Sequence, residues 1–331
     1  MEEGELYKEL AQRIGMGESV LIPRLFEMAT SEDEARLLLA LPGTAFEAGP
    51  KEGLDPANAE ELLQGLYHKG LAFKKNIPEG TMYRMSRDLM QFHDASILWP
   101  EAPRAFLDLW QEFMETEWLA FSEMVSKFLP RPVTRIVPVR ESMDNRQQIL
   151  AYEDVRQMIE EAETIAVTNC TCRLTAQKCD KPVEICLQVG KAGAYAIDRG
   201  TGRSIDREEA MALLCKAEEA GLIHTTMNRA GDAHFICNCC SDCCMTFPML
   251  INKKLKMCDP SRYAAFIDTE SCTGCGDCLE RCYFGALSVE DAQGKAVVLE
   301  EECMGCGLCQ VVCGESAIAL KEVREVGFIP S

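Results

Sequence analysis

SCTGCGDCLERC (271–282) and ECMGCGLCQVVC (302–313) write one cysteine spacing twice, C-x-x-C-x-x-C-x-x-x-C, at a constant offset of 31 residues. Gly274 and Gly276 of the first run return as Gly305 and Gly307 of the second. Leu287 and Val289, downstream of the first, return as Ile318 and Leu320. Such a run lets a short loop wrap a cubic iron–sulfur cluster, with glycines where the chain must bend tightly and turn its N–H groups toward sulfur. Soft thiolates are the ligands such clusters need. The pattern points to electron transfer.

The segment around these runs resembles the bacterial two-cluster [4Fe–4S] ferredoxins. The resemblance implies an exchange of ligands: three cysteines of each run hold one cluster and the last holds the other. One cluster would then take Cys272, Cys275, Cys278 and Cys313. The second would take Cys303, Cys306, Cys309 and Cys282. Stretches AAFID, GALSV, AVVLE and AIALK would be the short strands of that small core. The chain departs from the family where proline usually follows the last cysteine, since Tyr283 and Gly314 stand there. Each keeps an N–H that proline lacks.

A second cysteine field lies upstream. Cys170, Cys172, Cys179 and Cys186 sit in NCTCRLTAQKCDKPVEIC, and Cys237, Cys239, Cys240, Cys243 and Cys244 sit in CNCCSDCC. Three readings fit these nine thiols: one or two further [4Fe–4S] clusters, a zinc site, or redox-active thiols. The blocks are similar to those of CxCR…CNCC-type iron–sulfur proteins of anaerobes. The adjacent pairs 239–240 and 243–244 point their side chains apart in regular backbone, so a single metal does not gather all five. Arg173 either neutralises cluster charge or lies on the surface. Cys215 reads as a core residue, and Cys258 stays open between core and ligand. His224 and His234 fall on the two arms of a hairpin near Cys237 and read as structural histidines.

The remaining sequence predicts an α+β multidomain chain. A helical, winged-helix-like domain is expected over 1–130, a cysteine-rich α+β domain over 131–258 and the two-cluster ferredoxin domain over 259–331. In the first, Ser31 and Glu34 form a capping box. Asp55-Pro56 opens a helix that Gly70 ends, and two strands return through a turn over 76–80. Helix, helix, hairpin resembles a winged helix. Residues 101–129 read as one long amphipathic helix, a core or dimer stripe. The helix and hairpin near 206–236 echo the first domain, with Ala59, Leu62, Leu63, Gly70 and Leu71 matching Ala210, Leu213, Leu214, Gly221 and Leu222 at an offset of 151.

Composition narrows the function. Among 331 residues, 19 are cysteine and the net charge is −19. So many cysteines in a chain with an acidic, polar start, MEEGELYKEL, suit metal ligands in a reducing cytoplasm rather than disulfides. Residues 1–99 carry ten Lys and Arg against seventeen Asp and Glu. Such a domain repels phosphate, which disfavours nucleic acid and with it a redox-sensing DNA regulator. The apolar runs are too short to span a bilayer. An acidic surface suits a redox partner with a basic docking patch, or serves solubility alone. No dinucleotide, P-loop or hydrolase motif occurs. The reading is a cytoplasmic electron-transfer protein with two [4Fe–4S] clusters whose helical domain docks the redox partner or forms a homodimer, or else a reductase working at the middle cysteines.

Overall fold

A computed structural model describes residues 3–139, 154–231, 233–289 and 294–330. The chain divides into two compact units. The first comprises Met1–Ala120 with the short pieces Leu174–Ala176 and Arg199–Thr201, and the second holds the rest.

The first unit begins with α1 (Glu3–Arg13), α2 (Leu21–Ala29) and α3 (Glu32–Ala40). Ser31 and Glu34 close the capping box that the sequence announces. Then come β1 (Gly43–Thr44), α4 (Ala45–Ala48), α5 (Pro56–Lys69), β2 (Ala72–Ile77), β3 (Gly80–Met85) and α6 (Leu89–Ile97). Asp55 caps α5 through the N–H groups of Ala57 and Asn58, and Gly70 ends it at φ 81°. The strands form a three-stranded antiparallel sheet in the order β1-β3-β2. Phe26 stacks on Phe92 in the buried centre, and Trp110 donates its indole N–H to Ser96 Oγ at 3.1 Å.

The expected long helix over 101–129 is two helices, α7 (Arg104–Thr116) and α8 (Trp118–Phe128). Glu117 breaks it. Its carboxylate accepts the N–H groups of Val20 and Leu21 at 3.2 and 3.1 Å, where α2 begins. These are orphan donors that a helix start must satisfy, and the α2 N-cap residue, Val20, has no side chain for the task.

The second unit runs β4 (Thr134–Val137), α9 (Val155–Glu161), β5 (Ile165–Asn169), α10 (Thr171–Ala176), β6 (Glu184–Val189), α11 (Lys191–Asp198) and β7 (Gly202–Ser204). It continues with α12 (Arg207–Glu219), β8 (Ile223–Met227), β9 (Phe235–Cys239), α13 (Phe247–Lys253) and β10 (Cys258–Asp259). Its strands make a seven-stranded sheet, β10-β4-β8-β9-β6-β5-β7, antiparallel except for the parallel β10–β4 pair. Val167, Leu187, Leu214 and Ile236 lie in the core that α9 and α12 cover. Helix α9 begins at Val155, and residues 140–153 lie outside the described ones.

The echo at offset 151 has a geometric counterpart. Asp206 caps α12 as Asp55 caps α5, Gly221 ends it at φ 72°, and Ala210, Leu214 and Leu222 are buried like Ala59, Leu63 and Leu71.

The chain closes with β11 (Tyr263–Ile267), α14 (Asp277–Arg281), β12 (Leu287–Val289), β13 (Ala296–Val298), α15 (Leu308–Val311) and β14 (Ile318–Glu322). β11 pairs with β14 and β12 with β13, both antiparallel. These pairings place each repeat's strands against the other's, so the two cysteine loops share one small core.

Candidate iron–sulfur centres

Each C-terminal loop precedes a one-turn helix. Gly276 and Gly307, at φ 88° and 80°, are the N-caps of α14 and α15. Gly305 (φ 65°) packs so closely that a Cβ there would stand 2.1 Å from the carbonyl oxygen of Tyr263. Cys272, Cys275, Cys278 and Cys313 line one cavity. Cys282, Cys303, Cys306 and Cys309 line another. Around each cavity the structure therefore gathers three thiols of one run and the last thiol of the other. Backbone N–H groups face the sulfurs: Ala317 N donates to Cys313 Sγ at 3.3 Å and Ala265 N to Cys303 Sγ at 3.4 Å. Burial pushes the Cys306 thiol up to about 12 and raises Cys309 and Cys278 as well. Metal ligation must strip those protons.

The nine middle thiols form two groups. Strand order explains the larger one. Cys170 follows β5, Cys186 lies in β6, and Cys237 and Cys239 lie in β9, three neighbouring strands of the sheet. The pairing Leu187↔Ile236 sets Cys186 beside Cys237. Period-two alternation puts Cys237 and Cys239 on one face. Thiol–thiol hydrogen bonds link Cys172 to Cys170, Cys170 to Cys186, and Cys186 to Cys237. They continue from Cys237 to Cys239, from Cys239 to Cys244, and from Cys244 back to Cys172, closing a ring of six. Bonds from Cys170 and Cys237 hold Cys186 well below the usual thiol range, and bonds from Cys172 and Cys239 do the same for Cys244.

Cys179, Cys240 and Cys243 form the smaller group, with their sulfurs all within 4.8 Å of one another. Neighbours in sequence thus go to different groups: Cys239 and Cys244 to the ring, Cys240 and Cys243 to the trio. Arg173 is not on the surface, since only 2% of it is exposed. Its Nη1 donates to the carbonyl of Asn238 at 3.0 Å and lies 3.7 Å from Cys240 Sγ, and its Nε donates to Pro182 O at 2.8 Å. The charges of Cys170 and Cys186 also reach it.

Glu218 and Arg281 escaped the sequence reading, whereas His224 is structural as expected. His224 lies opposite Asn238, not His234, in the β8–β9 ladder. Its ring nitrogens meet Asn238 Oδ1 at 2.6 Å and Glu218 Oε1 at 3.1 Å, a fully buried structural histidine. Glu218 lies in the last turn of α12, where Arg281 Nη2 donates to the carbonyls of Glu218 and Glu219 at 2.8 and 2.7 Å. Cys258 is buried in the same apolar cluster as Cys244 and Leu308, with Cys239 and Cys306 packed against it. Cys215 is half-buried on α12.

Residues 265–320 match the family model of the 4Fe-4S dicluster domain. No curated protein and no solved structure matches the chain. The C-terminal module is therefore an iron–sulfur domain of the dicluster class, and [4Fe–4S] clusters are its cofactors. No helix among the described residues is long and apolar enough to cross a membrane.

Proposed function

We propose that the protein is a cytoplasmic electron carrier, or the electron-wiring subunit of a redox complex. Cys272, Cys275, Cys278 and Cys313 would ligate one [4Fe–4S] cluster, and Cys303, Cys306, Cys309 and Cys282 the other. A cluster bound at each cavity supplies one-electron redox chemistry. The chain's part is to bring the cavities together through shared strands, to shield the inner one, and to leave one corner of the outer one open. Cys303 and Cys309 are buried, whereas Cys275 is exposed. Asp277 and Glu315 flank that exposed corner, and with the net charge of −19 they favour a partner presenting a basic patch.

The observation that carries the reading is the packing of Cys306 in one apolar cluster with Cys239, Cys244 and Cys258. Cys306 and the ring thiols Cys239 and Cys244 pack on one apolar cluster, which supports a short path between the inner ferredoxin site and the six-thiol ring. The ring then serves as a further redox centre at the inner end of the path.

The first unit reads as a winged-helix domain used for protein docking or dimer formation. The exposed positions of α5 include Ala57, Asn58, Glu61 and Gln64, which carry no positive charge toward a phosphate backbone.

Purification without oxygen, iron and sulfide counting, and an EPR-monitored redox titration test the proposal. About eight iron per chain from two cubanes, more if the ring holds a cluster, and two one-electron steps from the C-terminal domain are expected. Colourless, iron-poor protein overturns it.

A further inference from the structure

The smaller thiol group differs in scale from the ferredoxin sites. There, four cysteines stand around a cavity, and Cys278 senses Cys275, Cys272 and Cys313 across it. Cys179, Cys240 and Cys243 instead touch: Cys179 Sγ is 3.6 Å from Cys243 Sγ and 3.9 Å from Cys240 Sγ. A single tetrahedral ion with metal–sulfur bonds of about 2.3 Å sets its thiolates about 3.8 Å apart. The observed spacing is that of ligands sharing one ion.

The local backbone agrees. Cys240-Ser241-Asp242-Cys243 is a C-x-x-C turn in which the N–H of Cys243 donates to Cys240 Sγ at 3.4 Å. The backbone of Lys178 hydrogen-bonds the Cys243 sulfur from the other segment. N–H groups aimed at sulfur favour thiolates and fix their direction. Their sequence neighbours Cys239 and Cys244 bond each other in the ring, and no fourth Cys, His, Asp or Glu among the described residues joins the trio within 4.8 Å. The trio therefore lacks a fourth cysteine.

Arg173 supplies the second, independent observation. Three thiolates around a dication carry one net negative charge. The guanidinium beside Cys240 offsets it. Arg173 Nη2 is buried and has no hydrogen-bond partner. A charged donor left so is costly unless something arrives to accept its proton.

We propose that Cys179, Cys240 and Cys243 bind one thiophilic divalent ion of the zinc class as three thiolates, with the fourth tetrahedral position left to a water or small anion. The buried guanidinium neutralises that centre and offers its free Nη2 to the exogenous ligand. Such a position is what a metal needs to bind a substrate atom directly, in contrast to a closed structural site.

The test uses the full chain purified without oxygen, with zinc and iron counted in the same sample and X-ray absorption recorded at the zinc edge. One zinc per chain is expected, in a shell of three sulfurs at about 2.3 Å and one light atom. Cys179→Ser and Cys243→Ser each lose that zinc and keep the full iron count. A four-sulfur shell overturns the open position. Loss of about four iron from Cys179→Ser makes the trio cubane ligands and overturns the single ion. A Cys179–Cys243 disulfide in metal-free protein overturns it too. The absorption shell of the unaltered protein decides the matter even where a variant fails to fold. The iron of the dicluster domain is counted separately, so failure of the electron-transfer reading leaves a different signature.

Discussion

Tyr283 donates its phenolic hydroxyl to the carbonyl oxygen of Gly221 at 3.0 Å, joining the residue after Cys282 to the residue that ends α12. Lys181 Nζ meets the same hydroxyl at 3.0 Å, and Arg281 grips the last carbonyls of α12 from the other side of Cys282. The inner cavity's borrowed cysteine is thus held between two anchors at the end of α12. Tyr283→Phe removes one of them. The expected loss is about 1 kcal/mol, or roughly 2–4 °C in Tm for a unit of this size. Calorimetry without oxygen measures it, and an unchanged midpoint would show that the hydroxyl contributes nothing.

The exchange of last cysteines makes a prediction that sequence proximity does not. Cys282→Ser should erase the same EPR signal as Cys303→Ser, although Cys282 belongs to the other run. Cys313→Ser should erase the signal lost in Cys272→Ser. Each variant should lose up to about four iron. If Cys282→Ser and Cys272→Ser abolish one common signal, the ligands do not cross.

Gly305 and Gly276 separate two costs of adding a methyl group. Both have positive φ, but the Cβ of Gly305→Ala would also collide with Tyr263 O and Ser261 Oγ, at 2.1 and 2.2 Å. Gly276→Ala meets nothing within 4 Å. The second should cost about 1 kcal/mol of backbone strain and keep both clusters. The first forces the loop away from β11 and should empty the inner cavity. Equal iron counts in the two variants would contradict the packing described.

Burial pushes Cys258 up to about 12 from an ordinary value of 9.0. In the unfolded chain the thiol ionises near its ordinary value, while in the fold it stays neutral. Its contribution is therefore complete below about pH 9 and is lost as pH rises toward 12. Denaturant titrations from pH 8 to 11 should show Cys258→Val losing less stability over that window than the parent protein. Parallel curves would mean the thiol ionises freely in place.

Glu117 costs the chain a continuous helix and satisfies the start of α2. Glu117→Ala should lower stability by about 1 kcal/mol, the scale of a lost N-cap. A midpoint shift in thermal unfolding reports it, and no shift would mean that water serves Val20 N and Leu21 N equally well.

The doubled run and its four strands were legible because all their information is local: ligand spacing, glycines and short apolar pairs within 60 residues. The α12 hairpin was legible for the same reason, since Asp206, Leu214 and Gly221 repeat the cap, core and stop of α5. The break at Glu117 was not. Apolar periodicity runs on through Trp118 and Phe121, and what ends α7 is a contact made 97 residues away. Strand β6 carries no period-two signal, since Ile185, Cys186 and Leu187 are buried in succession. The division of nine thiols into six and three is tertiary. It depends on β9 lying beside β6, which no spacing states. Arg173 stays open between a counter-charge and a surface residue until its neighbours Pro182 and Asn238 are brought around it.

The exposure of Cys275 has a cost beside its use. A sulfur that a docking protein can approach is also one that peroxide and molecular oxygen can reach. Corrosion of the metal centres would begin at that corner and spread inward, so the doorway for useful traffic is the place where air first does harm.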